Sequence, residues 1–234
     1  MKKSPIVYAL LVVLLLSLGM VGCAKRAEPV KATPVAAPAA STPTLAKVDR
    51  TGWPVIVAFG DSLTAGQGVA VDFTYPSRLQ AELDRRGYQY RVVNAGISGD
   101  TTGGGVNRVE AVLKHKPEIV ILELGANDGL QGKSVEQMRA NLSRMIERLQ
   151  QEKTTVVLAG MQIPPNYGAD YTTAFAGTFP ELAQRYNLPF IPFFLDGVAA
   201  KPQLNQMDGI HPTGEGYKYV VENVLAVLEP LLKK

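Results

Sequence analysis

Cysteine and histidine are scarce in this chain of 234 residues. The single cysteine, Cys23, excludes an intramolecular disulfide, because a disulfide needs two thiols. Only two histidines are present, His115 and His211, and with no spare thiol they argue against a metal site. The formal net charge is only +3 and no long run of either sign occurs, so a nucleic-acid partner is not expected.

The first 22 residues have the pattern of a secretion signal. Lys2 and Lys3 precede a mainly apolar stretch over residues 6–18, shorter than the ~20 residues that a membrane-spanning helix needs. The next segment, Gly19-Met20-Val21-Gly22-Cys23, resembles a bacterial lipoprotein processing site, which implies a diacylglyceryl group on Cys23. Ala24 follows in place of the aspartate of inner-membrane retention signals, which favours the outer membrane. Simple cleavage of the leader is the alternative, and both interpretations predict a periplasmic protein.

The composition changes twice after the leader. Residues 24–50 are rich in Ala and Pro and predict an extended linker that cannot bury a core. Residues 51–234 alternate apolar strand-like runs with amphipathic segments and predict one α/β domain. The predicted strands are 55–59, 90–93, 118–124, 154–159 and 190–191, and the predicted helices are 75–86, 102–115, 134–151, 171–186 and 214–232. This alternation predicts a flavodoxin-like three-layer αβα sandwich around a five-stranded parallel sheet of order 2-1-3-4-5.

Several polar residues follow the predicted strands. Ser62 comes just after the first strand, Gly99 follows the second, Asn127 follows the third, and Asp208 and His211 follow the fifth. Because the carboxyl ends of parallel strands lie at one edge of a sheet, we expect these residues to lie close together. Each segment alone is also typical of a turn or a helix cap.

Together these residues fit nucleophilic catalysis. A serine hydroxyl must lose its proton to a base as it attacks, and an imidazole oriented by a carboxylate is suited to accept it. We therefore predict Ser62 as nucleophile, His211 as base and Asp208 as its partner. The N–H groups of Ser62 and Gly99 and the Asn127 amide are predicted to bind the oxyanion.

Two other kinds of site are disfavoured by the segment after the first strand. It lacks the G-x-G-x-x-G pattern, so no dinucleotide cofactor is expected. Thr64 stands where the G-x-S-x-G elbow of α/β-hydrolases has its last glycine. The other histidine, His115, is predicted to be a solvated residue at a helix end.

Four short segments resemble the four blocks of the SGNH, or GDSL, hydrolase family. They are Gly60-Asp61-Ser62-Leu63, Gly99 within Ile97-Ser98-Gly99-Asp100-Thr101, Asn127 within Gly125-Ala126-Asn127-Asp128, and Asp208-Gly209-Ile210-His211. The flanking residues are most similar to the bacterial multifunctional thioesterase, lysophospholipase and arylesterase branch. The resemblance implies a flavodoxin-like fold, no cofactor, and hydrolysis of acyl esters and thioesters through an acyl-serine.

The predicted function is that of a serine esterase with small-molecule acyl ester substrates. Residues in the loops after the third and fourth strands are expected to line an apolar acyl groove, although ordinary loop packing would explain them equally well: Leu130, Ile163, Pro164, Pro165 and Tyr167. A lysophospholipase at the membrane, a carbohydrate O-deacetylase and a catalytically dead envelope-binding lipoprotein are the alternatives. No protein partner is evident in the sequence.

Overall fold

The computed structural model describes residues 48–234. The predicted signal peptide, Cys23 and most of the predicted linker therefore lie outside the described residues. The described residues form one compact unit. None of the helices in the described part of the chain is long and apolar enough to cross a membrane.

Five parallel strands form the central sheet. They are β1 Val55–Gly60, β2 Arg91–Gly96, β3 Ile119–Glu123, β4 Thr155–Ala159 and β5 Phe190–Ile191. Their order is β2-β1-β3-β4-β5, which confirms the predicted fold. The strands β1 and β3 are buried along their whole length, as expected for continuous apolar runs in a sheet that is covered on both faces.

Seven α-helices accompany the sheet in the described residues. They are α1 Ser62–Ala65, α2 Tyr75–Arg85, α3 Thr102–Leu113, α4 Ala126–Leu130, α5 Val135–Gln151, α6 Ala169–Arg185 and α7 Gly216–Leu228. The long helices form two groups, since α5 packs against both α3 and α6 whereas α2 packs against α7. Right-handed crossovers from β1 to β2, and back past β1 to β3, place these groups on opposite faces of the sheet.

Three differences from the predicted elements are larger than two residues. The strand β2 continues to Gly96, because residues 94–96 pair with residues 58–60 of β1 instead of opening a loop. The segment after β3, predicted as a loop, begins with the short helix α4. The last α-helix ends at Leu228 and continues as a 3-10 turn over Glu229–Leu231, where Pro230 has no N–H to extend the helix.

Candidate active site

Ser62 is the first residue of α1, directly after Asp61, which joins this helix to β1. The side chain of Asp61 caps α1 by accepting the Leu63 N–H at 3.0 Å, which fixes the residue before the serine. Gly66 ends the helix with a left-handed backbone (φ 83°) that favours glycine. Ser62 therefore stands at the carboxyl end of β1, an inner strand of the sheet.

His211 joins Ser62 to Asp208 across 149 residues of sequence. Its Nε2 lies 2.8 Å from the Ser62 Oγ, and its Nδ1 lies 2.7 Å from the Asp208 Oδ2. The other carboxylate oxygen of Asp208 accepts the N–H groups of Ile210 and His211, each at 3.0 Å, so the loop holds the carboxylate in place. The structure thus brings all three predicted triad residues into hydrogen-bonding contact.

The surroundings of Asp208 set the direction of proton transfer. Partial burial acts to raise its pKa, but hydrogen bonds from the His211 ring and from the backbone N–H groups outweigh this, and the pKa lies below its ordinary value. The carboxylate therefore stays ionised at neutral pH and accepts the Nδ1–H of the His211 ring. That tautomer leaves Nε2 free to accept the Ser62 proton.

The three predicted oxyanion donors lie around Ser62, but they are not equivalent. Within the described residues, the backbone N–H groups of Ser62 and Gly99 donate to no protein acceptor. Gly99 reaches this position through a left-handed backbone (φ 79°). The Asn127 amide instead donates to the Asp61 Oδ2 at 3.0 Å and to the Asp100 carbonyl at 2.9 Å. One of these hydrogens must be shared with an oxyanion if Asn127 is to stabilise it.

Arg108 of α3 is a residue that the sequence interpretation missed. Its guanidinium donates to the Gly60 carbonyl at 2.8 Å, the Ala95 carbonyl at 2.6 Å and the Asp100 Oδ2 at 2.6 Å. It also lies over the Phe59 ring, 4.5 Å from the centroid. One side chain therefore ties together the ends of β1 and β2 and the loop that carries Gly99. In the sequence, a single arginine beside an apolar residue of a predicted helix gives no indication that it contacts the site.

Two buried carboxyl groups lie behind the serine, and their importance was also missed. Glu123 ends β3 with no exposed surface, and Asp61 is 1% exposed. Burial raises the pKa of Asp61 to about 6, and burial together with the nearby Asp61 raises the pKa of Glu123 well above its usual value. An acidic residue at the carboxyl end of a central, otherwise apolar strand is the sequence signal that could have found Glu123.

A cavity of about 520 Å³ opens beside the triad. Its wall includes four of the five residues predicted for the acyl groove, namely Leu130, Ile163, Pro164 and Pro165. Tyr167 does not line it, and its hydroxyl instead donates to the Leu130 carbonyl at 2.8 Å. Further apolar residues of the wall, not predicted, are Leu63, Met161, Phe193, Leu195 and Ile210. The cavity therefore offers a mainly apolar surface next to the serine, in the size range of small-ligand sites.

Comparison with known proteins places these features in a family. A model described as the GDSL-like lipase/acylhydrolase family matches residues 58–219. The chain is 42% identical to the esterase TesA of Pseudomonas aeruginosa over 178 residues, which cover 76% of this chain and 89% of that protein. It is 36% identical to the thioesterase 1/protease 1/lysophospholipase L1 of Escherichia coli K12 over 178 residues, which cover 76% of this chain and 84% of that one.

A solved structure supports the same assignment. The psychrotrophic esterase EstA from Pseudoalteromonas sp., in a crystal structure inhibited by monoethylphosphonate, superposes with a TM-score of 0.72 at 31% identity. The match covers 76% of this chain and 97% of that structure.

Proposed function

The chain belongs to the GDSL-like lipase/acylhydrolase family and is a carboxylic ester hydrolase, and we propose that Ser62, His211 and Asp208 are its catalytic triad. The observation that carries this assignment is the unbroken chain of hydrogen bonds from the Ser62 Oγ through the His211 ring to the Asp208 carboxylate. The same interpretation gives the N–H groups of Ser62 and Gly99 and the Asn127 amide the role of oxyanion donors.

The geometry supports a two-step reaction. The Ser62 Oγ attacks the substrate carbonyl while its proton passes to the His211 Nε2, and the charge that develops on the carbonyl oxygen meets the oxyanion donors. The imidazolium then gives that proton to the leaving alcohol or thiol, which departs and leaves an acyl-serine. A water molecule attacks this ester, His211 takes the water's proton and returns a proton to Ser62, and the carboxylic acid is released.

The cavity supports a substrate with an apolar acyl chain. Its wall beside Ser62 is built from aliphatic, aromatic and proline side chains, and these would bury the chain without directional contacts. Such a wall gains only ~1–3 kcal/mol of discrimination per methylene, so we expect activity across several chain lengths. Aryl esters, thioesters and lysophospholipids all present an acyl group of this kind, whereas an acetylated sugar would leave most of the apolar wall empty.

A panel of substrates tests this proposal. We expect the purified protein to hydrolyse p-nitrophenyl esters with kcat/KM rising from acetate to longer chains, by at most about 10-fold per added methylene. Lysophosphatidylcholine and an acyl thioester are assayed in parallel. A preference for acetylated sugars would favour the deacetylase alternative. Protein that neither turns over p-nitrophenyl butyrate nor reacts with a fluorophosphonate would establish a catalytically dead envelope protein.

We further propose that the protein is exported and held at the outer membrane by lipid on Cys23. The support is the leader sequence, in which Cys23 follows a short apolar run. The next residue is Ala24, which favours the outer membrane. Buried acyl chains contribute ~0.8 kcal/mol per methylene, and more than one chain is needed for a stable anchor. The proline-rich residues 24–50 would then separate the hydrolase domain from the membrane surface.

The Cys23→Ser variant tests the anchor. We expect the wild-type protein to fractionate with membranes and to incorporate a radiolabelled fatty acid, whereas C23S does neither because it lacks the acylated thiol. The specific activity of the two proteins toward p-nitrophenyl butyrate should be equal. If both proteins are soluble, the leader is removed without lipidation. If both fractionate with membranes, the leader is retained without lipidation.

A further inference from the structure

Glu123 lies directly behind the turn that carries the candidate nucleophile. Its Oε2 accepts the Thr64 hydroxyl at 2.7 Å and the Asp61 N–H at 3.3 Å, so it bonds to the residues on both sides of the Ser62-Leu63 pair. A β-carbon at Gly60 would overlap the Thr64 hydroxyl and this carboxyl oxygen. The glycine before Asp61-Ser62 is therefore required by the close approach of Glu123.

The Glu123 carboxyl group is fully buried beside a second carboxyl group. Among the described residues no lysine or arginine forms an ion pair with Glu123, and its second oxygen, Oε1, is buried without a hydrogen-bond partner. The carboxyl of Asp61 is its acidic neighbour. Other ionisable groups around the pair are Asp100, Arg108 and His211 near Asp61, and the buried hydroxyls of Tyr75 and Tyr217.

A charged carboxylate would be strongly destabilising in this buried position. Burying an ionised group without a partner costs far more than burying a neutral one, and the group takes up a proton instead. Two neighbouring groups could take this proton from Glu123, but neither is well placed to do so. Asp61 is itself a carboxyl group, and both ring nitrogens of His211 are already bonded, to Ser62 and to Asp208. The proton would then reside on Oε1, the oxygen that accepts no hydrogen bond.

We propose that Glu123 is a positioning residue for the nucleophile, and that its uncharged carboxyl group fixes the Ser62 turn through the Asp61 N–H and the Thr64 hydroxyl. This inference rests on the proposed function, since it takes Ser62 to be the attacking residue. Glu123 touches no substrate and acts only through the backbone that carries Ser62. Displacements of about 1 Å at a reacting atom cost up to about 10²-fold in rate, so loss of this support should appear in kcat.

Three full-length variants test the proposal. Glu123→Gln keeps the shape and an accepting oxygen without charge, whereas Glu123→Met fills the space without either. We expect E123Q to retain kcat for p-nitrophenyl butyrate within about threefold, and E123M to lose about 10- to 10²-fold with KM changed by less than about threefold. The rate of fluorophosphonate labelling should fall in parallel with kcat. Glu118→Met, at the opposite end of β3, is the matched control and should leave kcat unchanged.

The pH dependence of unfolding tests the uncharged state separately. Because the pKa of Glu123 is raised in the folded protein above its ordinary value of 4.5, the stability that it contributes is fully present below pH 4.5 and is lost as the pH rises toward the folded-state pKa. E123Q has no proton to lose. Its denaturation midpoint should therefore rise relative to that of the wild type as the pH is raised above 4.5.

The outcomes separate this inference from the proposed function. A wild-type kcat in E123M would overturn the positioning role. The uncharged state would be overturned by a loss of kcat in E123Q as large as that in E123M. It would also be overturned if the stability difference between E123Q and the wild type did not depend on pH. If E123M does not fold, Thr64→Val decides, because it removes one of the two donors and should lower kcat several-fold while Thr64→Ser restores it. Activity that survives in S62A would instead contradict the proposed nucleophile.

Discussion

Replacement of Ser62 by alanine should lower kcat for p-nitrophenyl butyrate by about 10⁶-fold, the loss seen when a serine nucleophile is removed from a triad. The change deletes the only atom of the residue that contacts His211, and the remaining donors can stabilise an oxyanion only weakly without a covalent step. The free energy of unfolding should change by less than about 1 kcal/mol, since only one hydroxyl is lost. Steady-state kinetics and chemical denaturation measure the two quantities.

The specificity of this effect can be checked on a second serine. Ser143 lies on α5, away from the triad, and Ser143→Ala should leave kcat unchanged. A fluorophosphonate should label the wild-type protein and S143A equally and should fail to label S62A. Turnover by S62A near the wild-type level would show that another residue is the nucleophile.

The fold was predictable because its signals are local. Each central strand is a continuous apolar run, and the amphipathic face of α5 is visible at helical spacing, with Met138, Leu142, Met145 and Leu149 buried. Strict alternation of strands and helices then leaves few topologies, since crossovers are right-handed. The boundary of β2 was missed because residues 94–96 include Asn and Gly, which are poor strand formers, and pairing with β1 overrides that preference.

The residues proposed to attack or to carry protons were easier to predict than those that support them. Ser62, His211 and Asp208 are each ordinary turn or cap residues, but together they form a set with a single chemical use, and their order along the chain brings them to one edge of the sheet. Arg108 and Glu123 act through backbone carbonyls and N–H groups on other elements, and no sequence pattern records such contacts. The role of Tyr167 could not be predicted either, because only the folded chain shows that its hydroxyl donates to the Leu130 carbonyl.

The Asn127→Ala variant should lower kcat by roughly 10²- to 10³-fold, with KM little changed. An oxyanion donor acts on charge that appears in the transition state, so its loss lowers kcat without weakening substrate binding. In the resting structure both hydrogens of the amide are already engaged, with the Asp61 carboxyl and the Asp100 carbonyl. The amide is thereby held beside Ser62 before substrate arrives, and one of its two hydrogens must be shared with the oxyanion when it forms.

Two further variants test whether the amide N–H of Asn127 is the group that the reaction requires. Asn127→Asp has nearly the same shape but no N–H to donate while it is ionised, and it should be at least as impaired as N127A. The exposed Asn107 of α3 gives the matched control, and Asn107→Ala should keep the wild-type kcat. An unchanged kcat in N127A would remove the amide from the oxyanion site. A raised KM at constant kcat would mean that Asn127 binds the substrate equally well in its ground and transition states, because only uniform binding is lost in that case.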